Sequence, residues 1–165
     1  MITICLVVRD DNYHEKILSR LEFSVNFTLS SEKLNSIKNL IEFNIVDWGS
    51  KHEITKNFKY FDRSFKKKIK FFYLSPEEIK KYSNKHTNYF NEGYGYNIAA
   101  QNSNKKLILI QAYDLFFDKY SVFNLNTFIR NLPKKKIDNN FFLFNKNILP
   151  IDYFKKAPTI KETHN

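Results

Sequence analysis

Asp114 is the residue of this chain best placed to do chemistry. It closes the polar stretch Gln111-Ala112-Tyr113-Asp114, which ends the apolar run Leu107-Ile108-Leu109-Ile110. That run has the length of a strand. A carboxylate just past a buried strand lies where open α/β sheets bind ligands, outside the carboxyl ends of the strands. Leu115-Phe116-Phe117 follow at once, so the charge is held against an apolar wall. A buried, unpaired carboxylate is costly, and Asp114 therefore calls for a cation or several donors. The other reading makes it the cap of the next turn, and the local pattern decides between neither. Two more polar clusters sit at similar places. Arg9-Asp10-Asp11-Asn12-Tyr13 follows an apolar run over residues 2–8, and Asp47-Trp48-Gly49-Ser50 follows one over 43–46.

Other reactive residue types lack a supporting pattern. His14, His52, His86 and His164 show no paired metal-site spacing and read as surface histidines. Gly93-Tyr94-Gly95 has no Gly-Lys-Ser or Gly-Lys-Thr after it, so it is not read as a phosphate loop. Ser50 and Ser103 have no His near them in sequence, which neither supports nor excludes a triad. Residues 51–68 mix lysines with Phe58, Tyr60, Phe61 and Phe65. Rings and cations together can bind single-stranded nucleic acid, but a loop or short helix packing its rings on a sheet is preferred.

The elements that must position these clusters follow from periodicity. Residues 2–8 are continuously apolar and largely β-branched, the pattern of a central strand buried on both faces. Ile17, Leu21 and Val25, then Leu34, Ile37, Leu40 and Ile41, predict one long crossover helix, bent or broken near residue 30. Strands are expected at 43–46, 69–74 and 107–111. Ser75-Pro76-Glu77-Glu78 is a capping box with Pro at the first helical position. A helix is expected over 92–102 and another over 122–132, ending at Pro133. Residues 82–89 read as loop, 141–144 as a strand candidate and 155–165 as a basic tail. Strand–helix–strand units imply an α/β fold with a mostly parallel, Rossmann-like sheet, helices on both faces and strand order 3-2-1-4. One domain, residues 1–154, is expected.

Composition narrows the class. The chain has 165 residues, 42% of them hydrophobic, with only three Gly and four Pro, which fits a folded core without linkers. The single Cys5 lies in an apolar run and can form neither an internal disulfide nor a thiolate zinc cage. No apolar run reaches membrane-spanning length, and the N-terminus does not read as a secretory signal. Twenty-seven Lys+Arg against 17 Asp+Glu give a net charge of +10. The basic runs are scattered beside expected turns, so solvated surface is the preferred reading and nucleic acid an unfavoured partner. The cytoplasm is the expected location, with the inner membrane surface as a second place.

Four separated pieces, taken in order, resemble bacterial glycosyltransferase-like proteins of the GT-A fold related to family 2. They are Arg9-Asp10-Asp11-Asn12-Tyr13 after strand one, Ile45-Val46-Asp47-Trp48-Gly49-Ser50 at strand two, Phe72-Tyr73-Leu74-Ser75-Pro76-Glu77-Glu78-Ile79 at strand three, and Asn97 to Phe117 around strand four. The resemblance covers about residues 2–118. It implies a nucleotide-sugar site at the carboxyl ends of strands one, two and four. Arg9, Asp11, Asn12 and Asp47 would border the base and ribose, and Trp48 would offer a flat surface to the base. Asn97 would lie near the sugar-diphosphate. Asp114 would be the last carboxylate of an Asp-x-Asp motif and would hold Mn²⁺ or Mg²⁺ against the diphosphate.

The chain departs from the pattern in informative ways. Ala112 replaces the first Asp of Asp-x-Asp, Trp48 replaces the usual second Asp of the strand-two turn, and Ala99 and Lys105 occupy small-residue positions. The sequence ends near where the fold would begin its acceptor half, so no catalytic base is nominated. The expected function is binding of a nucleotide-diphosphate sugar. Hexosyl transfer to a glycan or other hydroxyl acceptor is expected once further sequence, a partner chain or an oligomer completes the acceptor side. The chain alone is expected to transfer poorly. The alternatives are a non-catalytic GT-A-fold remnant and a basic nucleic-acid-binding protein.

Overall fold

The computed structural model describes residues 1–11, 16–82 and 90–133. The expectations for residues 12–15, 83–89 and 134–165, including Asn12, the 141–144 strand and the division at residue 154, lie outside the described residues.

Seven consecutive apolar or β-branched residues make β1, Ile2–Val8, and every one of them is buried. Alternation divides this strand between two cores. Ile2, Ile4, Leu6 and Val8 point into one, while Cys5 and Val7 point into the other. β2, Ile41–Asp47, divides the same way: Ile41, Phe43 and Ile45 face the first core and Val46 the second. β3 is Ile69–Tyr73 and β4 is Leu107–Ile110. All pairings are parallel, and the order is β3-β2-β1-β4. The expected topology is therefore met, with β1 central.

Helices cover both faces. On the first, α1 (Ile17–Leu34) and α5 (Lys119–Asn131) pack together, joined by the short α2 (Ile54–Asn57) and a 3-10 turn at Arg63–Lys68. On the second, α4 (Glu92–Gln101) lies over β1 and β2, beside α3 (Pro76–Tyr82). The capping box forms as the sequence implies. Ser75 N–H donates to Glu78 Oε2 at 2.8 Å, and Glu78 N–H donates to Ser75 Oγ at 3.2 Å. Gly95 lets α4 approach β1: a Cβ there would lie 2.5 Å from Val7 Cγ1. β4 is half-covered. Leu107 and Leu109 join the first core, whereas Ile108 and Ile110 are 44% and 59% exposed, because α4 sits over β1 and β2.

The crossover helix differs from expectation. α1 runs unbroken through residue 30 and stops at Leu34, with Ile37 and Leu40 in the following loop. Its polar positions are not a break. Ser24 Oγ–H donates to Leu115 C=O, Phe117 N–H donates to Thr28 Oγ1 at 3.0 Å, and both side chains are buried. They receive the backbone of the loop after β4. The stop is made by Asn35, whose amide donates to Ser31 C=O at 3.0 Å, and by Ser36 and Asn39, both left-handed (φ 54° and 57°). α5 begins three residues before the expected start, where the Asp118 carboxylate accepts from Ser121 N–H at 2.7 Å.

Candidate functional site

Because β2, β1 and β4 are neighbours, the segments after them lie side by side at one edge of the sheet. Two are laced together. Trp48 N–H donates to Val8 C=O at 2.8 Å, Asp10 N–H to Ser50 Oγ at 2.7 Å, and Lys51 N–H to Asp10 C=O at 3.3 Å. Arg9 and Asp11 lie on the rim of this ledge, with Arg9 Nε 3.3 Å from Asp11 Oδ2.

Asp47 is fully buried. Its Oδ1 accepts from Ser50 N–H and its Oδ2 from Ile54 N–H, both at 2.9 Å. The carboxylate is thus spent on folding the loop from β2 into α2, so Asp47 would shape a ligand site without touching the ligand. Gly49 (φ 68°) makes that turn possible. Trp48 corrects the sequence reading. It is 1% exposed and packs among Cys5, Val7, Val46, Leu74 and Ala99, with Phe90 edge-on at 6.4 Å. Alternation directs it to the α4 face, so it presents no plane to a base. In the same core, burial pushes the Cys5 thiol up to about 11, so Cys5 is no nucleophile.

The segment after β4 is pinned on both sides. Gln111 N–H donates to Cys5 C=O at 3.3 Å, its amide donates to Leu115 C=O at 2.8 Å, and its own C=O accepts from Tyr96 Oη–H at 3.2 Å. Phe116 seats between Phe23 and Phe27 of α1, at 5.2 and 4.9 Å. Asp114 and Tyr113 are thereby carried to the first turns of α1. There Arg20 Nη1 lies 3.7 Å from Asp114 Oδ2, and Arg20 also bonds the Tyr113 side chain. Burial raises the Tyr113 phenol above its usual range. The bond from Arg20 lowers it and the Asp114 charge raises it further. Asn97 is exposed on α4, one residue from Tyr96. Sequence reasoning missed Arg20, Tyr96 and Tyr113. Gln111, the first polar residue after an apolar strand, carried a signal that could have found it.

The donor set does not fit a resident divalent cation. Of the two carboxylates in the loop after β4, Asp118 is spent on capping α5, which leaves Asp114, and Ala112 has no side-chain ligand atom. No three His, Cys, Asp or Glu side chains gather as a metal site among the described residues. A hard cation takes six or more oxygens and favours carboxylates. Here the remaining carboxylate, Asp114, already faces a guanidinium.

No protein-family model and no curated protein sequence matches the chain. Among solved structures it is similar to S. aureus TarS 1–349, with a TM-score of 0.48 and 16% identity over 78% of this chain and 32% of that one. It is also similar to the galactosyltransferase LgtC in complex with donor and acceptor sugar analogs, with a TM-score of 0.45 and 17% identity over 76% of this chain and 41% of that one. The chain spans less than half the length of either. Among the described residues no helix is long and apolar enough to cross a membrane. The parallel sheet in order 3-2-1-4, covered by helices on both faces, is an open α/β fold.

Proposed function

We propose that the carboxyl edge of the sheet binds a nucleoside-diphosphate sugar, and that the chain is the donor-binding part of a glycosyltransferase. One observation carries this. In the order 3-2-1-4 the chain reverses its direction of growth between β1 and β4, and open α/β sheets bind ligands in the crevice at such a switch point. Arg9 and Asp11 follow β1 there, and Asp114 with Arg20 stands on the β4 side. Arg9 and Asp11 would border the base and ribose, Asp47 would hold the ledge beneath them, and Asn97 would approach the sugar-diphosphate. In the transfer, an acceptor oxygen forms a bond to the anomeric carbon. The bond from that carbon to the β-phosphate oxygen breaks, and the nucleoside diphosphate leaves with the electron pair. The acceptor proton needs a base, which further sequence or a partner chain would supply.

Calorimetric titration with uridine, guanosine, adenosine and cytidine diphosphates, and with the sugar conjugate of whichever binds, tests the reading. Saturable one-to-one binding by one diphosphate, displaced by its sugar conjugate, is expected; no binding by any of the four would contradict it. The second reading, a donor-binding remnant without turnover, is favoured by Ala112 and predicts binding with no release of sugar from the donor. Binding to nucleic acid would instead weaken steeply with salt.

A further inference from the structure

We propose that Arg20 supplies the positive charge that faces the donor's diphosphate, in the place where the GT-A resemblance implied a divalent cation, and that Asp114 is the counter-ion the diphosphate displaces from Arg20. The inference rests on the donor-site reading above and concerns how that site meets its anion. Four features carry it. Arg20 lies in the first turn of α1, an 18-residue helix with no acidic residue in that turn, so the helix dipole adds to its charge. Its guanidinium stands on the β4 side of the crevice, held between Tyr113 and Asp114. The 3.7 Å separation from Asp114 is longer than a hydrogen bond, so an incoming phosphate oxygen can replace that contact without breaking a short, directional one. Arginine also matches phosphate geometry with paired N–H donors, which a lone carboxylate facing a guanidinium cannot do for a metal.

The two accounts of Asp114 differ in sign. If Asp114 held a cation, Asp114→Asn would weaken diphosphate binding and chelator would do the same. If Asp114 is the counter-ion of Arg20, the carboxylate competes with the phosphate for the guanidinium. Asp114→Asn should then raise diphosphate affinity, while Arg20→Gln should lower it about tenfold to hundredfold. Arg20→Lys should recover part of that loss, since it keeps the charge and loses the fork. The Arg20 effect should appear with a nucleoside diphosphate and vanish with the bare nucleoside.

The experiment titrates wild type, Arg20→Gln, Arg20→Lys and Asp114→Asn with the nucleoside diphosphate that binds, with Mn²⁺ and with chelator. Thermal unfolding of each variant confirms that it is folded. Metal-independent binding that falls in Arg20→Gln and tightens in Asp114→Asn is the predicted result. Binding that requires Mn²⁺ and ignores Arg20→Gln would overturn this inference and leave the donor-site reading standing. No binding by wild type under either condition would overturn both.

Discussion

The two edges of the sheet are built from the same kinds of residues and use them differently. At the amino edge, ion pairs between separate elements are close and tied to backbone. Glu32, 1% exposed at the end of α1, meets Lys68 and accepts from the N–H groups of Leu40 and Ile41 at 2.6 and 3.2 Å. Lys33 pairs with Asp62 at 2.6 Å, and Lys105 before β4 pairs with Glu42 of β2 at 2.8 Å. At the carboxyl edge, Arg9–Asp11 and Arg20–Asp114 are 3.3 and 3.7 Å apart. The short pairs are consumed in holding strands and helix ends in register. The two longer pairs stand at the rim of the carboxyl edge, where only Lys56–Glu53, within the segment after β2, is as short among the described residues, at 2.6 Å. An open cavity of about 650 Å³ lies at the amino edge, lined by Asn35, Ser36, Lys38, Phe123 and Arg130 among others. Its volume is not matched by an assembled set of opposed charges, and the strands' carboxyl ends are on the other side.

The largest expected effect breaks the amino edge. Glu32→Ala leaves two buried backbone donors unpaired, and each costs about 1–3 kcal/mol, so a loss of roughly 2–6 kcal/mol is expected in urea unfolding. Lys68, 22% exposed, can turn toward water, which favours the lower half of that range. The protein that remains folded should bind nucleoside diphosphate as wild type does. If binding falls in step with this substitution, the two edges are not separable.

Gly95→Ala acts on the carboxyl side. The added methyl meets the branched end of Val7, which cannot swing away, and overpacking of this kind costs about 1–3 kcal/mol. Moving α4 outward should also disturb the Tyr96 bond to Gln111 C=O, so diphosphate affinity should drop along with stability. Unchanged stability and affinity would show that α4 is not seated as described.

The smallest effect is a pH dependence of the amino edge. The Lys33 bond, then the Ser64 N–H, hold the Asp62 carboxyl well below the usual carboxylate range. Its folded-state pKa is therefore lower than its unfolded one. Its contribution to stability is complete above the ordinary carboxylate range and is lost as pH falls below it. Asp62→Asn should flatten the acid limb of the stability profile slightly, and this exposed pair should lose most of its effect in high salt. An acid limb identical in the two proteins would remove Asp62 from the account.

Much of the fold was legible because local and global signals agree. β1 is continuously apolar and central, Ser75 and Glu78 form the box their spacing implies, and alternating strands and helices gave the 3-2-1-4 order. The errors share a cause. Ser24 and Thr28 interrupt the apolar pattern of α1 because they receive a backbone from far along the chain, a contact that periodicity cannot express. Trp48 looked like a rim residue by its place after β2, yet alternation carries it into the second core. Asp47 was legible as important but not as a loop anchor, since that depends on where the Ser50 and Ile54 N–H groups point. Arg20 gave no signal, because its meaning comes from Asp114 arriving beside it.

The most direct test of the central claim is an amide chemical-shift map of the isotope-labelled chain titrated with the nucleoside diphosphate that binds. The account predicts that shifts concentrate at residues 9–11, 49–51 and 111–115 and at the first turn of α1, with residues 35–40 and 123–130 nearly still. Shifts concentrated around the amino-edge cavity, with the carboxyl edge still, would contradict it.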